Sequence, residues 1–567
     1  MNIKNLIEKL PLLLIFLLSV FAILPFFANG FFSFHDDVQI ARIYEMAKSL
    51  SAGMFPVRVV QDLGYGYGYP IFNFYSVLPY YFGGFLAGFG LNIIIAAKTV
   101  FIFGILLSLV SMYFLAKAFF GKIPAVVAAL VYLYFPYHAV NIYVRGDLAE
   151  LFAYAFFPLV FLSLFKTHTS GGTLRESRFY VLLGALSTTA VILSHNLSAF
   201  MLFIFIAAFI FASVAIGKNK KELILSYLLM LFSSFLLSSF YAIPTILEMK
   251  YTNVLSQVGG GSHYADHFIC IGQLWDSLWG FGGSAPGCID GMSFKLGKLN
   301  IILMFIAAAL FIFTFNKNRK HKTIVSAAFV FLCFSIFMTT NYSVLIWNLP
   351  FMDFLQFPWR FLNFAGLFIS FLVGFLIFIV GQKSVRGVLI ISVIIITITL
   401  FLNVRLFVPK EHLNVLSSSY TNQEYLNWTA SKISDEYLPK YFKKPGSAKD
   451  IRKEPVDIVR GNGEIEVKKH APGSISSSIS LKNDSFVRLN IAYFPAWRVF
   501  LDGKSVGYRI GNDGLYLNVS SGRHTLDARF IETGIERISN LMTLIGVFLL
   551  LAVIIGKLDF LYGKKAS

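Results

Sequence analysis

Long apolar stretches recur along the whole of this chain, and they limit its possible folds more than any other feature. A helix needs about 20 apolar residues to cross a membrane, and somewhat fewer where neighbouring helices shield it. Twelve stretches of the 567-residue chain come close to this length. They are Leu10–Phe31, Ile94–Ala116, Ile123–Asn141, Glu150–Phe165, Phe179–His195, Leu197–Ile216, Leu223–Leu247, Leu299–Phe315, Thr323–Thr340, Phe361–Val380, Val388–Val408 and Ile538–Ile555. The sequence therefore predicts a multi-pass membrane protein.

The charged residues agree with this class and argue against a nucleic-acid-binding protein. Only 14% of the residues are charged, whereas a soluble domain carries roughly a quarter. The net charge is +18, but many Lys and Arg residues lie in short clusters between apolar stretches, such as "AKAFFGK", "GKNKKE", "NKNRKHK", "GQKSVRG" and "GKKAS". Clusters of this kind are typical of cytoplasmic loops. We expect a cell-membrane protein in contact with lipids and without a nucleic-acid partner.

The same clusters predict the topology. Twelve crossings place all of them, together with both termini, on the cytoplasmic side. A further apolar stretch, Pro70–Leu91, is rich in Gly and Pro and is predicted to be re-entrant or to lie on the surface. The carboxylates and other unusual polar residues then gather in the outward-facing connections. The active site is therefore expected on the extracytoplasmic side.

The chain divides into three predicted regions. Residues 1–408 form a transmembrane domain, whose first outward loop spans residues 32–93. Residues 409–537 form an extracytoplasmic linker and a β-sandwich, because period-two runs such as "SISSSISL" and "LYLNVS" alternate there with turn signals. Residues 538–567 form a final helix and a cytoplasmic tail. The predicted fold class is mainly α, with a β-sandwich before the last helix.

The motif "HDD", residues His35, Asp36 and Asp37, follows the first apolar stretch. Paired carboxylates beside a membrane are costly unless water, a cation or a substrate meets them. The residues after the motif, 39–50, have the spacing of an amphipathic helix at the interface, with Arg42 and Glu45 on its polar side. Either aspartate is also a favoured cap for that helix. Both roles remain open from the sequence.

Further polar residues stand at the outer ends of predicted helices. "NIYVRGDLAEL" carries Arg145, Asp147 and Glu150, which suggest either a functional cluster or an ion pair with a helix-capping carboxylate. "LSHNLS" carries His195 and Asn196, and a single histidine at such a corner is more often structural. Glu248 and Arg360 are the remaining polar candidates on this side. Arg360 suits either an interfacial anchor or a phosphate ligand.

The chain has three cysteines. Cys333 lies within an apolar stretch and is expected to be inert. Cys270 and Cys288 share one outward loop, so a disulfide between them is compatible with an oxidising compartment. None of the three has the spacing of a metal site.

The segments "HDD…RIYEMAKSLSAGMFPVRVVQDLGYGYGYPIFNFYSVLPYY", "RGDLAE", "SHNLS" and "DGMSFKLGKLN" resemble a prokaryotic membrane protein family labelled 6-pyruvoyl-tetrahydropterin synthase related, although no residue here indicates pterin chemistry. The C-terminal "AYFPAWRVFLDGKSVGY" and "SGRHTLDARF" resemble the YfhO-type proteins. These resemblances imply the GT-C glycosyltransferase architecture, with a carboxylate in the first outward loop and a polyprenyl-phosphate sugar as donor. Asp36 matches the position of that carboxylate.

The chemistry of transfer from a lipid-phosphate sugar suggests roles for the motif residues. Asp36 is expected to act as general base, with Asp37 as a second catalytic candidate. The candidates for binding substrate or phosphate are His35, Arg145, Asp147, Glu150, His195, Asn196, Glu248 and Arg360. A divalent cation, Mg²⁺ or Mn²⁺, is a further candidate, with Asp36, Asp147 and Glu150 as its ligands. The acceptor is expected to be an extracytoplasmic glycan or lipid.

Two other functions compete with this one. A lipid or sugar flippase would also have about twelve helices, but it would place ionisable residues near the middle of the membrane beside broken helices. A non-catalytic scaffold for envelope assembly would tolerate replacement of the acidic residues. The position of the carboxylates at one end of the helices favours the enzyme.

Overall fold

The computed structural model describes residues 3–171, 174–254, 262–315 and 321–554. Most of the basic cluster "NKNRKHK" and the predicted cytoplasmic tail with "GKKAS" therefore lie outside the described residues. The helices are α1 Ile3–Ile23, α2 Gln39–Ser51, α3 Leu78–Gly88, α4 Ile93–Phe120, α5 Lys122–Leu133, α6 Pro136–Ala139, α7 Leu148–Thr169, α8 Leu174–Ser194, α9 Asn196–Ile216, α10 Lys220–Glu248, α11 Ile271–Trp275, α12 Lys298–Thr314, α13 Lys322–Thr339, α14 Val344–Trp347, α15 Leu362–Gly381, α16 Val385–Asn403, α17 Ser417–Thr421, α18 Ser431–Ile433 and α19 Gly534–Ile554.

The strands lie mostly between α18 and α19. They are β1 Phe31–Phe32, β2 His412–Leu413, β3 Val456–Arg460, β4 Gly463–Ala471, β5 Ser474–Leu481, β6 Ser485–Leu489, β7 Trp497–Leu501, β8 Lys504–Val506, β9 Arg509–Ile510, β10 Leu515–Val519 and β11 Gly522–Phe530. The predicted fold class, mainly helical with a C-terminal β region before the last helix, is confirmed.

Each of the twelve predicted stretches contains a helix, but the count of twelve spans is not confirmed. In the described part of the chain, ten helices are long and apolar enough to cross a membrane, or eleven if one bent pair counts as a single span. The bent pair joins α5 to the segment Pro136–Arg145 at 48°. Pro136 lacks the N–H that would continue the α5 hydrogen bonds, which explains the break. The remaining stretch forms α12, which has only 17 residues.

The glycine-rich stretch from Pro70 to Leu91 folds into the short helix α3. Its 11 residues reach about 16 Å, about half of the membrane's apolar thickness. Gly83 and Gly84 let it pack closely on α2, because a Cβ at these positions would lie 2.9 Å from Ile43 and 2.6 Å from Met46. The glycines thus serve helix packing, and α3 is too short to span a membrane by itself.

The helix predicted after the His-Asp-Asp motif forms as α2, but its polar side does not face water. Arg42 and Glu45 are buried, with 3% and 0% exposed. Arg42 donates a hydrogen bond to Ser434 Oγ at 2.8 Å and pairs with Glu436 at 3.2 Å. The polar side of α2 is not at an interface, because a segment 392 residues further along the chain covers Arg42, and the Gln61 and Asp62 N–H groups donate to Glu45 at 3.0 and 3.1 Å.

Neither aspartate of the motif caps α2. The residue that precedes the helix is Val38, which provides no capping hydrogen bond. The capping alternative for Asp36 and Asp37 therefore does not apply.

The C-terminal strands form two antiparallel sheets that share one core. The sheet orders are β3-β6-β10-β9 and β4-β5-β11-β7-β8. Strand β5 shows the period-two pattern that its sequence predicts, because Ile475, Ile479 and Leu481 are buried while the Ser residues between them are mostly less so. The two sheets therefore form the predicted sandwich.

The Ile475→Ala substitution is expected to lower the unfolding free energy of this sandwich by about 2–5 kcal/mol, because it leaves a cavity in the shared core. Ile475 is 4% exposed and Ile510, on the edge strand β9, is 42% exposed. The matched control Ile510→Ala is expected to change it by about 0.5 kcal/mol or less. Amide hydrogen exchange of the strands in the full chain, in detergent, measures both. Equal effects of the two substitutions would contradict the shared core.

Candidate active site

One cavity of about 1230 Å³ gathers most of the polar residues that the sequence singled out. The predicted site residues that line it are His35, Asp36, Arg145, Asp147, His195, Asn196 and Arg360. Apolar side chains of α9 and α10 line it as well, among them Phe200, Phe203, Leu231, Phe235 and Ile246. Residues that are far apart in sequence thus converge on a cavity with both polar and apolar walls.

Hydrogen bonds hold the backbone of the His-Asp-Asp motif against the helical segment that precedes α7. The His35 and Asp36 N–H groups donate to the carbonyl oxygens of Val144 and Arg145 at 3.1 and 3.0 Å. His35 Nε2 lies 3.0 Å from the Phe281 carbonyl oxygen and donates to it. These contacts present the Asp36 carboxylate to the cavity, and among the described residues no donor forms a hydrogen bond with it.

The electrostatic surroundings favour the protonated form of Asp36. Burial raises the pKa of its carboxyl group, and the negative charge of Asp147 raises it further. The positive charge of Arg145 acts in the opposite direction. A carboxyl group with a raised pKa is a better proton acceptor near neutral pH, as a general base requires.

The second motif forms an ion-pair cluster beside Asp36. Residues Val140–Arg145 form a π-helical turn, a feature that is frequent at functional sites. It ends at Gly146, whose φ of 65° suits glycine and whose Cβ would clash with the ring of Phe34 at 2.3 Å. This turn directs Arg145 toward Asp147, and Nη2 of Arg145 lies 2.7 Å from Asp147 Oδ2. The cluster thus depends on a local backbone geometry that only glycine permits.

Asp147 has the capping role that the sequence offered as the structural alternative. Its Oδ1 accepts a hydrogen bond from the Glu150 N–H at 2.9 Å, at the start of α7. Burial alone would raise the pKa of Asp147, but Arg145, followed by His195, lowers it to about 2. Asp147 is therefore ionised, and it both caps the helix and lines the cavity.

Glu150 lies beneath this surface and is fully buried. Its Oε2 accepts from Arg145 at 2.7 Å and lies 3.5 Å from Nε of Arg360. Its Oε1 accepts from the Tyr137 hydroxyl at 2.9 Å and from Asn363 Nδ2 at 2.5 Å. Glu150 is not among the residues that line the cavity. It contacts Arg145 and Arg360 on the side that faces away from the cavity.

His195 and Asn196 start α9. His195 Nδ1 accepts from the Ser198 N–H at 3.3 Å and contacts the Ser198 hydroxyl at 2.8 Å. The neutral ring then carries its proton on Nε2, and burial lowers the pKa of His195 against the opposing charges of Asp147 and Glu150. The Asn196 amide bridges the Phe74 carbonyl oxygen and the Tyr241 hydroxyl.

Two predicted site residues lie elsewhere. Asp37 is not part of the cavity lining, its carbonyl oxygen accepts from the Tyr425 hydroxyl, and burial raises its pKa to about 6. Glu248 accepts from Thr533 Oγ1 at 2.6 Å, just before α19, and it also does not line the cavity. The sequence could not separate these two carboxylates from Asp36 because all of them precede or end a helix on the same predicted side.

The cavity also contains residues that the sequence did not assign to it. Arg42 and Glu436 form an ion pair in its wall, and the Arg42 guanidinium lies 4.0 Å from the centre of the Tyr75 ring. Trp359 lies 4.8 Å from the Arg145 guanidinium. Glu436 belongs to "SDEYLPK", which reads as a linker. Arg42 lies on the polar side of an amphipathic helix pattern, so the sequence offered no signal that it lines a cavity.

Asp147, Glu150 and His195 form the one group of metal-ligand type in the described residues, with ligand atoms within 4.8 Å of one another. Asp36, which the sequence named as a ligand, is not part of this group. Cys270 and Cys288 form a disulfide in the loop that contributes Ser284 and Met292 to the cavity wall.

One family model and two solved structures are similar to parts of this chain. Residues 72–258 match the family model described as 6-pyruvoyl-tetrahydropterin synthase related domain, membrane protein. This range contains Arg145, Asp147, Glu150 and His195 but not His35 and Asp36. None of the curated proteins matches the chain.

Two solved structures of the Archaeoglobus fulgidus oligosaccharyltransferase are similar to the chain. The first, tethered through a disulfide to an acceptor peptide with an NVT sequon, has a TM-score of 0.46 at 13% identity and matches 79% of this chain and 61% of its own. The apo form has a TM-score of 0.43 at 13% identity, with 79% and 62%. The chain thus spans less than two thirds of that enzyme's length. Over residues 72–258 the resemblance to the 6-pyruvoyl-tetrahydropterin synthase related family of membrane proteins is confirmed.

Proposed function

We propose that this protein is a membrane glycosyltransferase that moves a sugar from a polyprenyl-phosphate donor to an extracytoplasmic glycan or lipid acceptor. The observation that carries the proposal is the single cavity that is lined by Asp36, by Arg145 and Arg360, and by the apolar side chains of α9 and α10. Transfer from a lipid-linked sugar phosphate needs three features in one place: an apolar groove for the lipid, positive charge for the phosphate and a base for the acceptor hydroxyl.

The apolar wall suits the lipid part of such a donor. Phe200, Phe203 and Phe235 line the cavity and are also 39%, 38% and 44% exposed. Ile246, further along α10, is 70% exposed. In a membrane, side chains of this kind face lipid, so the wall offers a prenyl chain a continuous apolar path from the bilayer.

Arg360 is the best ligand for the phosphate. The Arg145 guanidinium already donates to Asn141, Asp147 and Glu150. Arg360 donates through Nη1 to the Leu355 carbonyl oxygen, and its Nε faces Glu150 Oε2 at 3.5 Å. Among the described residues none accepts a hydrogen bond from its Nη2, so a phosphate oxygen in the cavity would supply that acceptor. The Nε2–H of neutral His195 would be a second donor in the same cavity.

The reaction follows from these positions. Asp36 accepts the proton of the acceptor hydroxyl, and the hydroxyl oxygen forms a bond with the anomeric carbon of the sugar. The bond from that carbon to the phosphate oxygen breaks, and its electron pair leaves with the polyprenyl phosphate. Arg360 stabilises the charge that develops on this leaving group. No other group is needed to balance the step.

Transfer of labelled sugar tests the function directly. Membranes that contain the full chain are given labelled polyprenyl-phosphate sugar, and we expect label in a glycan or lipid product. Movement of intact donor across vesicles without transfer would instead support the flippase. Absence of both activities, with unchanged envelope assembly in Asp36→Asn cells, would support the scaffold.

The Arg360→Gln substitution is expected to lower kcat for transfer by about 10²–10³, because it removes the positive charge that stabilises the leaving phosphate. The matched control is Arg405→Gln, which changes an exposed arginine outside the cavity and is expected to keep the wild-type rate. Rates with saturating labelled donor measure both. A wild-type rate for Arg360→Gln would show that the phosphate binds elsewhere.

A further inference from the structure

The three side chains Asp147, Glu150 and His195 have the types and the spacing of a divalent-cation site. Two carboxylates and an imidazole close together suit several transition metals. Whether these groups fit a metal depends on which of their lone pairs remain available. The hydrogen bonds of the cluster answer this question.

The carboxylate oxygens are already used by protein donors. Asp147 Oδ1 accepts from the Glu150 N–H at 2.9 Å, and Asp147 Oδ2 accepts from Arg145 at 2.7 Å. Glu150 Oε2 accepts from Arg145 at 2.7 Å, and Glu150 Oε1 accepts from Tyr137 and Asn363. The Arg145 guanidinium therefore bridges the two carboxylates, as a metal ion would.

The histidine and the local charge lead to the same conclusion. His195 Nδ1 accepts from the Ser198 N–H, so the neutral ring has its proton on Nε2 and no free lone pair toward the carboxylates. Arg360 Nε lies 3.5 Å from Glu150 Oε2, which brings a second positive charge to the cluster. A divalent cation would have to displace Arg145 from both carboxylates and leave the charge of its buried guanidinium unpaired. The residues present do not fit a metal.

We propose that Arg145 takes the place of a divalent cation, so that this site binds no metal and works without one. Arg145 is then a positioning residue, which fixes Asp147 and Glu150 beside Asp36 and Arg360. The part of this inference that concerns catalysis rests on the proposed transfer reaction. The part that concerns binding does not.

Mn²⁺ is the probe for the binding part. The full-length wild-type chain, purified in detergent, is titrated with Mn²⁺ and followed by electron paramagnetic resonance. We expect no saturable binding up to about 1 mM, the weak end of protein cation affinities. Arg145→Ala frees both carboxylates and is expected to bind about one Mn²⁺ per chain. Adding Asp147→Asn to it removes one of the two freed carboxylates and is expected to weaken that binding at least tenfold.

The outcomes separate clearly. Saturable binding by the wild type that is lost in Asp147→Asn would overturn the inference. A folded Arg145→Ala variant that binds no Mn²⁺ would overturn the claim that Arg145 occupies the cation position. If Arg145→Ala does not fold, the wild-type titration still decides whether the site binds metal.

The catalytic part has its own readout. Transfer by the wild type is expected to proceed at the same rate in EDTA and in added Mg²⁺ or Mn²⁺, whereas loss of transfer in EDTA that Mg²⁺ restores would overturn it. If no transfer occurs under any condition, the proposed function fails while the Mn²⁺ titration remains interpretable.

Discussion

Asp36→Asn is expected to lower kcat for sugar transfer by about 10²–10⁴, the contribution of a general base. The amide has nearly the shape of the carboxylate but cannot take up the proton of the acceptor's hydroxyl group. The carboxylate lines the cavity without a hydrogen-bond donor among the described residues, so its loss removes a reacting group rather than a structural contact. Binding of labelled donor to the variant is expected to persist, which places the defect in the chemical step.

The neighbouring aspartate offers a matched comparison. Asp37 has the same side chain one residue away but is not part of the cavity lining. Asp37→Asn is expected to lower kcat by less than about tenfold, since it removes no reacting group. Full activity of Asp36→Asn, or an equal loss in both variants, would contradict the assignment of the base to Asp36.

The same role makes transfer depend on pH. Burial, followed by the charge of Asp147, raises the pKa of Asp36 above its ordinary value of 3.8. A general base acts when it is deprotonated, so kcat is full at higher pH and falls as the pH decreases through this raised pKa. The residual rate of Asp36→Asn is expected to lack this decrease. If the variant kept it, the titrating group would be another residue.

Arg145→Met is expected to lower the unfolding free energy by about 3–5 kcal/mol, the effect of removing one partner from a buried ion pair. The side chains of Arg145 and Asp147 are 8% and 4% exposed, and that of Glu150 is 0% exposed. Without the guanidinium, two buried carboxylates face each other, with Arg360 as the nearest remaining cation of the cluster. Denaturant unfolding of the full chain in detergent measures the change.

A double-mutant cycle separates the charge from the loss of packing. Adding Glu150→Gln to Arg145→Met removes one of the uncompensated carboxylates, so the double variant is expected to be less destabilised than the sum of the two single variants. The Glu150→Gln variant alone leaves Arg145 paired with Asp147. Additive effects would mean that the ion pair between Arg145 and Glu150 carries no coupling energy, contrary to their 2.7 Å contact.

The helical part of the fold was predictable because it follows from composition over windows of about 20 residues. The positions of α4, α7 and α9 agree with the predicted stretches, since apolar length alone decides where a helix can cross lipid. The spans around Pro136 and α12 differ from the prediction. In the first case a proline breaks the helix, and in the second the helix is shorter than a full span.

The candidate site was predictable in its motifs but not in its internal geometry. The sequence indicates Asp36, Arg145 and Asp147 as site candidates because charged side chains next to lipid are costly unless they have a functional role. The role of Arg42 depends on Glu436, which is 394 residues away in the chain, so no local pattern indicates it. The absence of Asp37 and Glu248 from the cavity lining likewise depends on which way a helix end faces, which only the packed structure determines.

The most direct test of the central claim is a cryo-electron microscopy structure of the full chain in a lipid nanodisc with bound polyprenyl-phosphate sugar. We expect the phosphate within hydrogen-bond distance of the Arg360 guanidinium, the sugar facing Asp36, and the prenyl chain along the wall of α9 and α10. A donor bound outside this cavity, or with its sugar turned away from Asp36, would contradict the proposed transferase.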